Sequence, residues 1–145
     1  MQLTRLIYAS RHVGTTIDMI DRILQKSRAN NLRDGITGAL VISDLYFLQL
    51  LEGDRKQISK CFMRVMQDNR HQDIQLICAG DHENRLFYEW SMHRIETSRM
   101  KQKVLHPYKI NGSFVPFCMS QCAVEDLCRT LSAGNWVAEG MQLSC

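Results

Sequence analysis

The chain contains 145 residues, which is enough for one domain with a proper core and too few for two ordinary domains. A hydrophobic content of 45% with 23% charged residues excludes a disordered or fibrous protein. The net charge is only +3 and the Lys and Arg residues are dispersed, so we expect no nucleic-acid partner. No apolar run approaches the ~20 residues of a membrane span and the first residues do not form a signal peptide, so we expect a cytoplasmic protein without membrane contact.

The six cysteines follow no recognisable disulfide or metal pattern. Cys61 and Cys78 fall inside apolar periodic segments, where a free thiol behaves as a small hydrophobic side chain. The spacing of the other four matches no common zinc motif; they are Cys118, Cys122, Cys128 and Cys145. We therefore expect reduced thiols and no metal site, as is usual in the cytosol.

Hydrophobic periodicity predicts five strands and two principal helices. Thr16 is placed to begin the first helix and Asp54 to begin the second. The pair Asn30-Asn31, followed by Gly35, is expected to end the first helix. In chain order, we predict strand 3–9, helix 17–31, strands 36–43 and 45–51, a helix after Asp54, and strands 74–79 and 87–95.

The order β-α-β-β-α-β-β predicts a ferredoxin-like α+β fold with one added strand and two helices on one face of the sheet. In the third strand Phe47 and Leu51 point to one face, whereas Leu48 and Leu50 point to the other, so both faces need covering. We assign residues 1–95 to the core. Residues 96–145, with a helix near 123–131, are expected to form a helical cap of the same domain on the second face.

Each of the two helices presents an apolar patch followed by hydrogen-bonding side chains on one face. Facing one another, the helices would form a slot for a flat heterocycle with carbonyl and N–H groups along one edge. The residues concerned are Ile23, Ser27, Asn30 and Asn31 on the first helix and Arg64, Val65, Asp68 and His71 on the second. A purely structural alternative is that the Asn pair ends a helix and that Arg64 and Asp68 form a surface ion pair.

Gln49 lies in the most apolar stretch of the chain, where an unpaired amide would cost ~1–3 kcal/mol. It is either a core glutamine satisfied by protein groups or a residue that joins a ligand to a tyrosine, since an amide both donates and accepts. Tyr8 is the candidate tyrosine because it shares the helix-facing side of the first strand with Leu6. Trp90 and Met92 share one face of the fifth predicted strand and either line the same pocket or fill the core.

Several sequence blocks together resemble the signature of the BLUF family, the flavin-binding blue-light sensors. They occur in the family's order over residues 3–95, and their combination is far more specific than any single block. The blocks are Arg5-Leu-Ile-Tyr8-Ala-Ser10, Asn30-Asn31, Gly35-Ile-Thr-Gly38-Ala-Leu40, Phe47-Leu-Gln49-Leu-Leu-Glu52-Gly53, Asp68-Asn-Arg-His71 and Trp90-Ser-Met92. Residues 96–145 resemble the variable helical cap of short, single-domain members.

The resemblance implies a non-covalently bound flavin between the two helices, usually FAD, with FMN or riboflavin as alternatives. By position, Tyr8 and Gln49 would be the photoactive pair, and Trp90 and Met92 the alternative neighbours of Gln49. The remaining implied contacts are Ile23 and Val65 on the ring faces, Asn31 at its carbonyl edge, Ser27 and Asn30 nearby, and Arg64, Asp68 and His71 along the ribityl and phosphate side.

The implied mechanism is light-driven donation of an electron and a proton from Tyr8 through Gln49. Gln49 is then rotated or tautomerised and donates to the flavin, which shifts the absorption to the red. A sensor of this kind without a catalytic domain is not an enzyme; it would signal to a separate, unidentified protein and could form a homo-oligomer.

Two other functions compete with this interpretation. A flavin oxidoreductase is disfavoured because the sequence lacks a G-x-G-x-x-G fingerprint for a nicotinamide donor. An RNA-binding module of the same fold is disfavoured because no basic motif with paired exposed aromatic residues is present on a central strand.

Overall fold

The computed structural model describes residues 2–12 and 14–138, which form one five-stranded sheet in the order β4-β1-β3-β2-β5. The strands are β1 (Leu3–Arg11), β2 (Thr37–Ile42), β3 (Tyr46–Asp54), β4 (Gln72–His82) and β5 (His93–Glu96). Strand β1 pairs antiparallel with β3 and β4, and β2 pairs antiparallel with β3, whereas β5 runs parallel to β2 at the edge. The predicted ferredoxin-like sheet with one added strand is confirmed.

Two helices cover one face of the sheet, and the cap that follows β5 covers the other. The two helices on the first face are α1 (Ile17–Asp34) and α2 (Arg55–Met66). The cap contains α3 (Gln102–Leu105) and α4 (Gln121–Ala133). Three short 3-10 turns, Thr97–Arg99, His106–Tyr108 and Pro116–Cys118, connect β5 to α4 around α3.

The start of α1 at Thr16 and its end at Gly35 agree with the sequence, whereas the role expected for the Asn pair does not. Thr16 accepts a hydrogen bond from the backbone N–H of Met19 at 3.2 Å. The helix continues through Asn30 and Asn31 and ends at Gly35, whose φ of 69° is left-handed and whose N–H donates to the Asn31 carbonyl. The expectation that the Asn pair helps to end the helix is therefore wrong.

The sheet separates two hydrophobic cores, as the alternation along β3 predicts. Phe47 and Leu51 lie in the helix-side core under α1 and α2, whereas Leu48 and Leu50 lie in the cap-side core under α4. Helix α4 contributes four buried residues to the cap-side core: Val124, Leu127, Cys128 and Leu131. Residues 96–138 thus supply the cover that the second face requires.

The fifth strand is shorter than predicted, because β5 begins only at His93. We call residues 84–92 the anchored segment, since hydrogen bonds with side chains hold much of its backbone. The carbonyls of Trp90, Ser91 and Met92 accept hydrogen bonds from the Gly38 N–H, Asn31 Nδ2 and Arg28 Nε, respectively. The prediction of a strand over residues 87–95 is therefore wrong for its first six residues, where these contacts take the place of regular strand pairing.

The five described cysteines are free thiols, and Cys145 lies outside the described residues. Cys61 packs in the helix-side core, whereas Cys128 is buried in the cap-side core, where burial raises the pKa of its thiol to about 12. Among residues 2–12 and 14–138, no helix is both long and apolar enough to cross a bilayer.

Candidate functional site

A cavity of about 450 Å³ lies between α1 and α2 on the helix side of the sheet. Its size falls within the roughly 300–1,000 Å³ that small-molecule and cofactor sites occupy. We call it the interhelical cavity. Its walls come from α1 between Ile23 and Asn31, the C-terminal half of α2, the loop after α2, and Gln49 in the middle of β3.

Apolar groups line the cavity from both helices. Ile23 of α1 is buried and Val65 of α2 is half-buried, and both contribute to the lining. They are the two residues that the family resemblance implies for the two faces of the ring. Cys61, one turn before Val65 on the same helix, adds a third small apolar group.

The polar edge of the cavity carries the predicted hydroxyl and amide groups Ser27, Asn30, Asn31 and Gln49. Asn31 is only 1% exposed, and its Nδ2 donates to the Ser91 carbonyl at 2.8 Å. Its Oδ1 lies 3.9 Å from the Cys61 Sγ, which is a weak donor. Asn31 therefore joins the cavity to the anchored segment.

Arg64 and Asp68 do not form with each other the surface ion pair that the structural alternative predicts. Arg64 reaches Asp34 at 3.3 Å, whereas Asp68 pairs with Arg70 at 2.7 Å. The Arg70 guanidinium beside Asp68 holds the pKa of that carboxyl below its ordinary value. The Arg64–Asp68 ion pair is thus not formed, and both side chains line the cavity.

His71 lies at the inner end of the cavity as a buried ring. Its Nδ1 lies 2.9 Å from the Ser10 Oγ, and its ring centre lies 6.0 Å from that of Tyr8. Burial lowers the pKa of His71 to about 4 against an opposing influence from Asp68. The imidazole is therefore neutral near pH 7.

A chain of hydrogen bonds crosses the floor of the cavity through Gln49. The Tyr8 hydroxyl donates to Gln49 Oε1, and Gln49 Nε2 donates to the Met92 Sδ at 3.3 Å. Tyr8 is fully buried, and burial raises the pKa of its hydroxyl well above 10. The three side chains come from β1, β3 and the end of the anchored segment, which brings together groups 41 and 43 residues apart in sequence.

Trp90 and Met92 do not pack in the same core. Met92 is buried in the helix-side core, whereas Trp90 packs against the cap-side core, where its ring centre lies 4.2 Å from that of His93. The expectation that the two share one face of a strand is wrong, because residues 87–92 are not a strand and alternation does not apply to them.

Five residues of the lining escape the sequence interpretation: Lys26, Cys61, Gln67, Asn69 and Arg70. Helical spacing could have found two of them, since Lys26 lies three residues after Ile23 and Cys61 four residues before Val65. The other three lie in the loop after α2, where no periodicity reports which way a side chain points.

The family model for BLUF, described as sensors of blue-light using FAD, matches residues 3–93. A curated relative, the blue light- and temperature-regulated antirepressor BluF of Escherichia coli K12, is 33% identical over 79 residues, covering 52% of this chain and 19% of the relative. The chain spans about a fifth or less of the length of the curated relatives it matches.

Solved structures resemble the whole described fold. The photo-activated state of BlsA matches with a TM-score of 0.80 and 26% identity, covering 94% of this chain and 99% of that one. The dark state of BlrB, described as a BLUF protein, matches with a TM-score of 0.76 and 29% identity, covering 91% of this chain and 96% of that one.

Proposed function

This chain belongs to the BLUF family, the sensors of blue light that use FAD, and on that premise we propose that Gln49 is its light-operated switch. The matched residues form a sensor domain and not a catalytic one. The observation that carries the proposal is the position of Gln49, which lines the interhelical cavity and is bonded to both Tyr8 and Met92.

The residues present fit a flavin. Ile23 and Val65 offer apolar surface on the two helices, and the amides of Asn30, Asn31 and Gln49 offer donors and acceptors for the ring edge. Three cationic side chains, Lys26, Arg64 and Arg70, line the cavity against the one carboxylate of Asp68, and this excess of positive charge favours phosphate groups there. When bound, the flavin supplies the absorption of blue light and an oxidising excited state.

Tyr8 is suited to hold and release a proton at its hydroxyl oxygen. Its raised pKa keeps the phenol protonated, and its hydroxyl donates to Gln49 Oε1. Burial also excludes bulk water from the bond between them. We assign Tyr8 as the residue that would supply an electron and a proton through Gln49 under illumination and would recover both on the return that leaves the amide switched.

Met92 fixes the resting orientation of the amide. A thioether only accepts hydrogen bonds, whereas a tyrosine hydroxyl both donates and accepts. With Nε2 towards Met92 and Oε1 towards Tyr8, both bonds are made; after a half-turn, Oε1 would face a sulfur that has no proton to give. The switched amide is therefore favoured only when the unfavourable contact between Oε1 and the sulfur is compensated. A new hydrogen bond donated by Nε2, or a movement of Met92 away from Oε1, would supply this compensation.

The signal would leave through the anchored segment. Met92 ends this segment, and Ser91 beside it is held by the cavity residue Asn31, so a change at Gln49 or Asn31 acts on adjacent backbone groups. Trp90 remains in this proposal the alternative neighbour of Gln49, which requires the segment to move. Such a bistable element is a common basis of switching.

For the output, we propose a separate downstream protein, with residues 96–145 as a cap of the same domain as residues 1–95. The match of this chain to nearly the whole BlsA and BlrB chains supports a cap that belongs to the same domain as the core. Assembly into a homo-oligomer is compatible with this role. The free thiols of the described cysteines support a cytoplasmic location.

The test is an absorption spectrum before and after blue light, recorded for the native protein and three variants. Gln49→Leu and Tyr8→Phe should keep flavin and lose the stable red shift, because the first removes the switching amide and the second the transferable proton. Gln75→Leu makes the same change at an exposed site on β4 and should behave as native. A normal red shift in Gln49→Leu would refute the proposal, and chromatography of the released cofactor distinguishes FAD from FMN and riboflavin.

A further inference from the structure

A second cavity, of about 210 Å³, lies on the opposite side of the sheet between the anchored segment and the end of α4. Its aromatic lining consists of Phe87, Tyr88 and Trp90 of the segment, His93 of β5 and Trp136 after α4. We call it the aromatic cavity. It shares no lining residue with the interhelical cavity; Phe87 and Trp136 are buried in the cap-side core, and Trp90 packs against that core.

His93 is the polar group of the aromatic cavity. It is only 4% exposed, yet neither Nδ1 nor Nε2 has a hydrogen-bond partner among the described residues. Its neighbours are rings, with centres 4.2 Å away for Trp90 and 5.9 Å away for Trp136. A buried polar group without a partner is uncommon in proteins and calls for a specific reason.

The charge around His93 indicates a neutral ligand. Burial lowers the pKa of His93 to about 4, with a further contribution from the positive charge of Arg28, so the ring is uncharged near pH 7. A neutral imidazole offers one N–H donor and one nitrogen acceptor. Glu89, which also lines the cavity, disfavours an anion there.

The size and lining of the cavity indicate the shape of that ligand. Flat aromatic walls favour a flat ring through stacked and edge-to-face contacts. An apolar cavity of about 150 Å³ is enough to bind benzene. The aromatic cavity is larger, so it has room for one substituted ring or a small bicyclic ring.

We propose that the aromatic cavity binds a small neutral aromatic compound with one O–H or N–H group, of the size of phenol or indole, and that His93 is its hydrogen-bond partner. Because Trp90 belongs to both the cavity and the anchored segment, occupancy should change the lifetime of the light state. This second statement rests on the proposed function, whereas binding itself does not. If the compound binds the dark and light states with different affinities, occupancy changes the free-energy difference between those states by the same factor.

The experiment is a calorimetric titration of phenol, and of toluene as its match without a hydroxyl, into the FAD-loaded protein in the dark. Phenol should bind roughly threefold to tenfold more tightly than toluene, the value of one net hydrogen bond. His93→Leu should remove this difference. His12→Leu is the matched control: His12 is equally buried at 4%, but its Nε2 is bonded to the Ser43 carbonyl and it lies outside the aromatic cavity.

Absence of binding by both compounds at millimolar concentration would overturn the proposal, as would a phenol preference that persists in His93→Leu. If that variant does not fold, His93→Phe retains a ring without nitrogen atoms and carries the same expectation. Recovery of the dark spectrum with and without phenol tests the coupling separately. Phenol binding to a protein that shows no light-induced shift would refute the proposed function and leave the ligand site standing.

Discussion

Glu52 should contribute to stability far more than its place in an ordinary strand indicates. It is fully buried, and its carboxylate accepts hydrogen bonds from Arg5 Nε at 2.9 Å and from the backbone N–H groups of Leu86 and Phe87 at 2.8 and 3.0 Å. Arg5 is itself 8% exposed and also donates to the Asn84 carbonyl. One buried ion pair thus holds the start of the anchored segment.

Glu52→Gln keeps the shape of the side chain but leaves the Arg5 charge without a partner and turns an N–H group towards other donors. Removing one member of a buried pair costs about 3–5 kcal/mol. For a chain of this length, that corresponds to a fall in Tm of roughly 6–20 °C. Urea denaturation followed by circular dichroism, at one fixed FAD concentration, measures the loss of unfolding free energy.

Asp81→Asn is the matched control, because it makes the same acid-to-amide change in the exposed Arg55–Asp81 pair. It should cost no more than about 1 kcal/mol. The double variant Arg5→Met, Glu52→Gln should recover part of the loss, since no buried charge remains unpaired. If Glu52→Gln costs no more than Asp81→Asn, the reasoning about the buried pair is refuted.

Three further predictions concern the cofactor, pH and the cap. Asn31→Ala should weaken flavin binding about tenfold to a hundredfold, for a cost of ~1–3 kcal/mol, and full retention in a cofactor titration would contradict the ring-edge assignment. Since the pKa values of His71 and His93 are lowered from 6.5 to about 4, unfolding takes up protons in that window. The free energy of unfolding should therefore fall as the pH is lowered from 6.5 towards 4, with a smaller fall in His93→Leu, as urea midpoints would show. Truncation after Ile95 should expose Leu48 and Leu50 and give a poorly soluble product whose soluble fraction still binds flavin; a monomeric, soluble product on size-exclusion chromatography would contradict the covering role.

The parts of the fold that depend on local periodicity could be predicted from the sequence. Alternation along β3 assigns Phe47 and Leu48 to opposite cores because successive side chains of a strand point to opposite faces. The helical spacing from Ile23 to Asn31 likewise places those residues along one cavity wall. Both rules need only neighbouring positions, and a single sequence supplies these.

The anchored segment could not be predicted in the same way. Its apolar residues look like a strand, but its backbone is satisfied by Asn31 and Arg28, about 60 residues earlier in the chain. The end of α1 is different, because the sequence holds a local signal for it in Gly35, whose left-handed φ of 69° closes the helix after the Asn pair. Long-range hydrogen bonds between a side chain and the backbone leave no periodic trace.

Helix α1 contacts both the interhelical cavity and the anchored segment. Ser27 and Asn30 line the cavity. Arg28 and Asn31 donate hydrogen bonds to the carbonyls of Met92 and Ser91, respectively. Loss of the cofactor should therefore loosen a backbone stretch on the other side of the helix. That stretch contains Arg85, a trypsin cleavage site whose guanidinium is held by Thr37 and the carbonyl of Gly35. Flavin-free protein should therefore be cleaved by trypsin after Arg85 faster than flavin-loaded protein, because local opening exposes the cleavage site.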